Sequence, residues 1–388
     1  MNRKQFTYLI AALVLLGGLV WALKQQDQAN WTQSESRAGK TLFKDFSANN
    51  VASIRIKNAY TEINLFKKDD LWRVKERGDY PANFSSISDL LLKIQDQKII
   101  QSDPISADQK PQLEITEPAS GKAGGGTVIE LMDASGKALA KLTLGKRYMR
   151  KGQGGVAVPA GRYVMVSGDD NNVALIGDAL LDSEPKPDLW IARDFVRIEK
   201  IKSIELRGQD GVSEWKMFRD KEGADWQLND AKPGENFDKS RGISATNAIS
   251  SLNFIDVVVA NKTLDTGIAT AKTVTVETFD NLTYTIRLGN QSSDDNQYLT
   301  VAVSGEAPKE RVAASDEKPE DKARLDKEFD AKKKLIEAKL KTEKSLAPWT
   351  YIAPKWRLDP LLKDRAGLMI EKQNAEAPKL TPINPKAK

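Results

Sequence analysis

The 388-residue chain contains no histidine and no cysteine. Without histidine it lacks the commonest general base, the commonest zinc ligand, and the Ser-His and Cys-His nucleophile systems. Without cysteine it has no thiol chemistry, no thiolate metal site, no disulfide and no lipid anchor through an N-terminal Cys. No stray thiol can mispair, so an oxidising compartment suits such a chain. Net charge is also small: 59 basic residues face 54 acidic ones, a net +5. That gives no argument for nucleic acid, which calls for clustered Lys and Arg with interleaved aromatics.

Long apolar runs are rare, and the one present is informative. Residues 6–23 read FTYLIAALVLLGGLVWAL, 18 residues with no charge. At ~1.5 Å per residue a helix of that length spans roughly 27 Å, close to the ~30 Å hydrocarbon thickness of a bilayer. Arg3 and Lys4 precede it, Trp21 suits the interfacial belt, and the following stretch is polar. This bias predicts a cytoplasmic tip at 1–5, a transmembrane anchor at 6–23, a linker at 24–40 and a body outside the cell's inner membrane. A cleaved signal peptide is the rival reading, although Val20-Trp21-Ala22 makes a poor small-x-small cleavage site.

Beyond the anchor the chain repeats itself. Val51-Ala52-Ser53-Ile54-Arg55-Ile56 returns as Ile201-Lys202-Ser203-Ile204-Glu205-Leu206, and each is followed by a run with a lone tryptophan, Trp72 or Trp226. Asn83-Phe84 and Asn236-Phe237 each precede a helical pattern. Thr127-Val128-Ile129-Glu130 answers Thr273-Val274-Thr275-Val276-Glu277, and Leu142-Thr143-Leu144-Gly145 answers Ile286-Arg287-Leu288-Gly289. Tyr163 to Gly168 answers Tyr298 to Gly305. A period this long is a duplicated domain, not a solenoid of short repeats.

Period-two alternation marks strands in both copies. Ile87, Leu90, Leu91 and Ile94 mark one helix, with Ser86-Ile87-Ser88-Asp89 resembling its capping box, and Ala245, Ala248, Ile249 and Leu252 repeat the spacing. The expected class is therefore α+β: two tandem copies of an antiparallel sheet packed with a helix, at 41–190 and 191–370. After Gly305 the second copy carries a charged insertion, 306–346, predicted helical from about 320 to 343 by acid-to-base pairs such as Glu328–Lys332, Asp330–Lys334 and Glu337–Lys341. Its thin apolar stripe is Leu325, Phe329, Ile336 and Leu340. Residues 371–388, rich in Pro, Ala and Lys, are expected to be a disordered tail.

Candidate chemistry is sparse. Gly121-Lys122-Ala123-Gly124-Gly125-Gly126 lacks P-loop spacing and precedes a strand, so it reads as a linker. Asp169-Asp170-Asn171-Asn172 lacks EF-hand spacing and reads as a turn. Arg147, Arg150 and Lys151 cluster beside glycines in an expected loop, where they would meet an anionic headgroup or an acidic partner, or simply be solvated. The matching loop of the second copy, Ser293-Asp294-Asp295, is acidic. The helical stripe would either dock on a partner or pack lightly on its own domain. Trp72 and Trp226, repeated after strand-like runs, point to core packing. No cofactor or metal site is expected.

Val51 to Ile56, Leu71 to Val74, Gly161-Arg162-Tyr163-Val164, Ile201 to Leu206 and Trp226, behind an N-terminal anchor, resemble the DUF4340 family of bacterial envelope proteins, over roughly residues 42–370. Members are often encoded beside gliding-type ABC transporter subunits. The resemblance carries no catalytic residues. It implies a single-pass inner-membrane protein with a periplasmic body, a non-enzymatic accessory or scaffold for an ABC-type transport complex. Two other readings stay open. A glycan- or peptidoglycan-binding module would need an exposed aromatic groove, for instance around Trp190, Trp349 or Trp356. A histidine-free hydrolase would need a Ser–Lys pair or close carboxylates in a pocket.

Overall fold

Alternation of apolar and polar residues along short β-branched runs builds two antiparallel sheets. A computed structural model describes residues 37–370 apart from 123, 260–263, 294 and 312–316. The candidate anchor at 6–23 and the tail at 371–388 lie outside the described residues; among those described, no helix is long and apolar enough to cross a membrane. The chain divides into two units, Met1–Arg193 and Asp194–Lys388.

The first unit holds β1 (Ser53–Lys57), β2 (Glu62–Lys68), β3 (Leu71–Val74), β4 (Tyr80–Pro81), helix α1 (Phe84–Asp96), β5 (Ile99–Pro104), β6 (Thr127–Met132), β7 (Ala138–Lys151), β8 (Ala157–Val166) and β9 (Asn172–Ile176). The sheet runs β4-β3-β2-β1-β6-β7-β8-β9-β5. The second unit holds β10 (Ile201–Arg207), β11 (Ser213–Phe218), β12 (Gln227–Leu228), helix α2 (Lys239–Ser250), β13 (Asp256–Val258), β14 (Lys272–Thr278), β15 (Leu282–Ser293), β16 (Asn296–Gly305), helix α3 (Pro319–Lys344) and β17 (Thr350–Pro354). Its sheet runs β12-β11-β10-β14-β15-β16-β17-β13. The order is that of the first sheet without β4. In both units the first helix joins strands at opposite edges of the sheet, so it must cross the sheet, and the apolar row beneath it is buried.

That row is continuous in register. Ile54 stands opposite Leu65 on one side and Leu131 on the other; Ile204 stands opposite Met217 and Val276. All six are buried. Ile87, Leu90, Leu91 and Ile94 of α1 are buried, and so are Gly242, Ala245, Ala248 and Ile249 of α2. Trp72 and Trp226 are both buried, each beneath a cation: Lys67 Nζ lies 5.2 Å from one ring and the Arg219 guanidinium 5.0 Å from the other.

Several expectations shift. Helix α1 begins earlier than the Ser86 box: Asn83 is the cap, and its side-chain oxygen accepts from the Ser86 N–H at 3.3 Å. The same position in the second unit is Asp238, not Asn236, because Ala82 bridges Ile191 as Phe237 bridges Met369. Residues 37–40, expected as linker, are tied to the first unit, with Gly39 N–H donating to Ile99 O at 2.8 Å. In α3, Glu328 pairs with Arg324 at 2.8 Å and Lys332 reaches Asp280 at 2.9 Å, in place of the expected Glu328–Lys332 pair.

Candidate functional site

Apart from the helix α3 inserted between β16 and β17, the two units differ most where β7 meets β8. After Leu144 of β7 the pairing register shifts at Gly145, and the strands continue as Arg147↔Arg162, Tyr148↔Gly161, Arg150↔Val158 and Lys151↔Ala157. β6 pairs with β7 only as far as Leu144, and β9 with β8 only as far as Arg162. Beyond those points β7 and β8 form a two-stranded ribbon with no further neighbour in the sheet. Arg147, Arg150 and Lys151 therefore lie on a strand, not in the loop that glycine and charge suggested. Tyr148, Met149, Val156 and Val158 on the same ribbon are exposed. Residues 146–161 contain four cations and no acid.

The glycine at the bulge is there for space. A Cβ on Gly145 would stand 2.3 Å from Leu113 O and from Ile115 Cγ2, where the segment before β6 crosses the strand. Gly289 occupies the equivalent point of β15, 2.2 Å from Thr266 O by the same measure. These close approaches explain why Leu-Gly recurs in both copies.

At the root of the ribbon a cleft of about 240 Å³ is lined by Arg147, Arg162, Asn58, Thr127, Ser183 and Lys186, among others. The structure thus brings one predicted residue, Arg147, beside two that were not singled out as site residues, Arg162 and Lys186. Arg162 is largely covered. Its Nε donates to Gly145 O at 2.9 Å and its Nη1 to Ala179 O at 3.2 Å. Burial, and then the charge of Arg147, lower its pKa to about 10. Lys186 pairs with Glu184 at 2.7 Å, and that pairing holds the Glu184 carboxyl below its usual range. Arg150 and Lys151 lie further out on the ribbon. The signal available in the sequence was Gly161-Arg162-Tyr163-Val164, a charged residue set inside an otherwise strand-like run.

The helical stripe of α3 faces its own unit. Ile336 is buried, and Leu325, Phe329 and Leu340 are partly covered; the exposed apolar side chain is Leu335. Lys339 and Glu343 pair at 2.6 Å, and Glu343 is itself buried. Of the tryptophans considered for a glycan groove, Trp190 is buried and donates to Glu184 O at 2.8 Å. Trp356 is exposed, with the Arg357 guanidinium 4.4 Å from its ring, and Trp349 is partly covered. Among the described residues no group of three or more acidic side chains is placed to hold a metal ion.

Comparison with known proteins gives a family and no further relative. No curated protein and no solved structure matches the chain. A family model described as a domain of unknown function (DUF4340) matches residues 72–271, from β3 of the first unit to the residue before β14 of the second. That stretch is more than half of the chain and takes in both the ribbon and helix α2, and the protein therefore belongs to the DUF4340 family.

Proposed function

We propose that this protein is a membrane-anchored envelope scaffold that presents protein surfaces to an ABC-type transport complex and catalyses no reaction itself. Residues 6–23 would hold it in the bacterial inner membrane, with the body in the periplasm. The partner class comes from the family resemblance; the mode of action comes from the surface. One observation carries the reading: two sheets of one strand order differ in their solvent-facing elaborations. The first grows the β7–β8 ribbon, the second the helix α3. Contact residues are commonly carried on such additions while the scaffold beneath stays rigid. Exposed Tyr148, Met149, Val156 and Val158, set among cations, have the mixed apolar and basic character of a docking surface.

The test is co-purification of the tagged full-length protein at native expression in mild detergent, read by mass spectrometry. Transporter membrane subunits are expected to co-elute, and to be depleted when residues 146–161 are shortened to the seven-residue span between Gly289 and Gln297 of the second unit. Recovery of no transporter subunit sinks the reading.

A further inference from the structure

We propose that the cleft at the root of the ribbon is an oxyanion-binding site, with a phosphate group as its best match, held between Arg147 and Arg162. This stands apart from the scaffold reading and does not depend on it. Arg147 and Arg162 are direct partners across β7 and β8. Like charges placed opposite one another are unfavourable in a sheet. Among the described residues, neither guanidinium has a carboxylate within ion-pair distance. Lys186 adds a third cation and Glu184, paired with it, the one acid of the lining, so two positive charges are left over. A phosphate monoester dianion balances them. The guanidinium fork of Arg147 and the Nη2 of Arg162, whose Nε and Nη1 are held by backbone carbonyls, suit its oxygens, and Thr127 and Asn58 supply a hydroxyl and an amide on the wall.

The second unit shows that this charge is surplus to the fold. Gln291 pairs with Gln297 in the register where Arg147 pairs with Arg162. Gln297 Nε2 donates to Gly289 O at 2.8 Å, as Arg162 Nε donates to Gly145 O at 2.9 Å. A neutral side chain therefore closes the same bulge through the same bond. A desolvated arginine facing a second arginine is a costly way to make that bond. The cost is understandable if an anion neutralises the pair.

The same substitution gives the test. Full-length protein in phosphate-free buffer and a maltoside detergent is titrated with inorganic phosphate by calorimetry. One saturable site is expected. Arg147→Gln, which leaves the bulge bond untouched, and Arg162→Gln, which keeps it as Gln297 does, should each weaken binding by roughly tenfold or more. The double variant should not bind, while its melting temperature stays close to that of the parent. Arg150→Gln with Lys151→Gln, further along the ribbon, should leave binding unchanged. Competition by soluble short-chain phosphatidic acid, whose headgroup is a phosphate monoester, separates the two sources of the group. Displacement of phosphate at lower concentration marks a lipid headgroup, and failure to displace marks a soluble phosphate compound. Absence of saturable binding at millimolar phosphate overturns the proposal. So does equal binding by the folded double variant, or an equal fall in the Arg150/Lys151 control.

Discussion

The hydroxyl of Tyr284 on β15 donates to Glu343 Oε2 of helix α3 at 2.7 Å, and both residues are buried. The other carboxylate oxygen accepts from Arg197 N–H at 2.9 Å and Lys339 Nζ at 2.6 Å. Burial, reinforced by the carboxylate, drives the Tyr284 phenol well above its usual ionisation range. A helix with little apolar surface is thus fastened by a satisfied charge. Tyr284→Phe should cost about 1–3 kcal/mol by leaving that oxygen without its donor. Hydrogen exchange should rise in the C-terminal half of α3, and unchanged protection there would show that the helix is held by something else.

The two sheets should lose stability separately. Ile54→Ala and Ile204→Ala each remove a fully buried side chain from the centre of one apolar row. Each is expected to cost about 2–5 kcal/mol. Exchange mass spectrometry should show protection falling in β1, β2 and β6 for the first variant, and in β10, β11 and β14 for the second. A global loss from either substitution would mean that the units unfold as one.

Gly242 of α2 lies against Trp226, and a Cβ there would stand 2.6 Å from the indole Cγ. Gly242→Ala gains up to about 1 kcal/mol of helix propensity. Overpacking against a buried ring should outweigh it, by about 1–3 kcal/mol. The expected result is a lower melting temperature with altered tryptophan emission; a raised one would show that the ring has room to shift.

Acid should loosen the closure of the second unit. Arg365 holds Glu235 with both forks, Nε to Oε1 at 2.9 Å and Nη2 to Oε2 at 2.7 Å. That grip, with the Lys232 N–H bond, lowers the Glu235 pKa from 4.5 to about 2. The folded pKa is below the unfolded one, so the stabilisation is complete above pH 4.5 and drains away as pH falls towards 2. The Arg365→Gln variant should lose that slope. Thermal melts between those pH values would check it, and parallel pH profiles for variant and parent would refute it.

Much of the fold is legible in the sequence, and each departure has its own physical reason. Tyr163 with Tyr298, and Leu142 to Gly145 with Ile286 to Gly289, are true equivalents in register. The match of Glu130 to Glu277 was two residues out: Glu130 stands opposite Arg55, and Thr275 opposite the corresponding Glu205. The Asn83 equivalent was out by two as well. A slip of two keeps every side chain on its own face, so a period-two pattern cannot detect it. Edge strands β5 and β13 were missed because a sheet margin buries few residues and leaves little alternation. The ribbon was missed because strands that face solvent on both sides need no apolar period at all.

Two sheets, the buried face of each, the approximate places of the helices and a charged helix within the second copy can all be read along the chain. Those follow from periodicity, which burial imposes on local stretches. The register of the strands, and the meeting of Arg162 and Lys186 with Arg147, emerge with folding alone. Their spacing along the chain reflects hairpin lengths and carries no record of which residues meet across them.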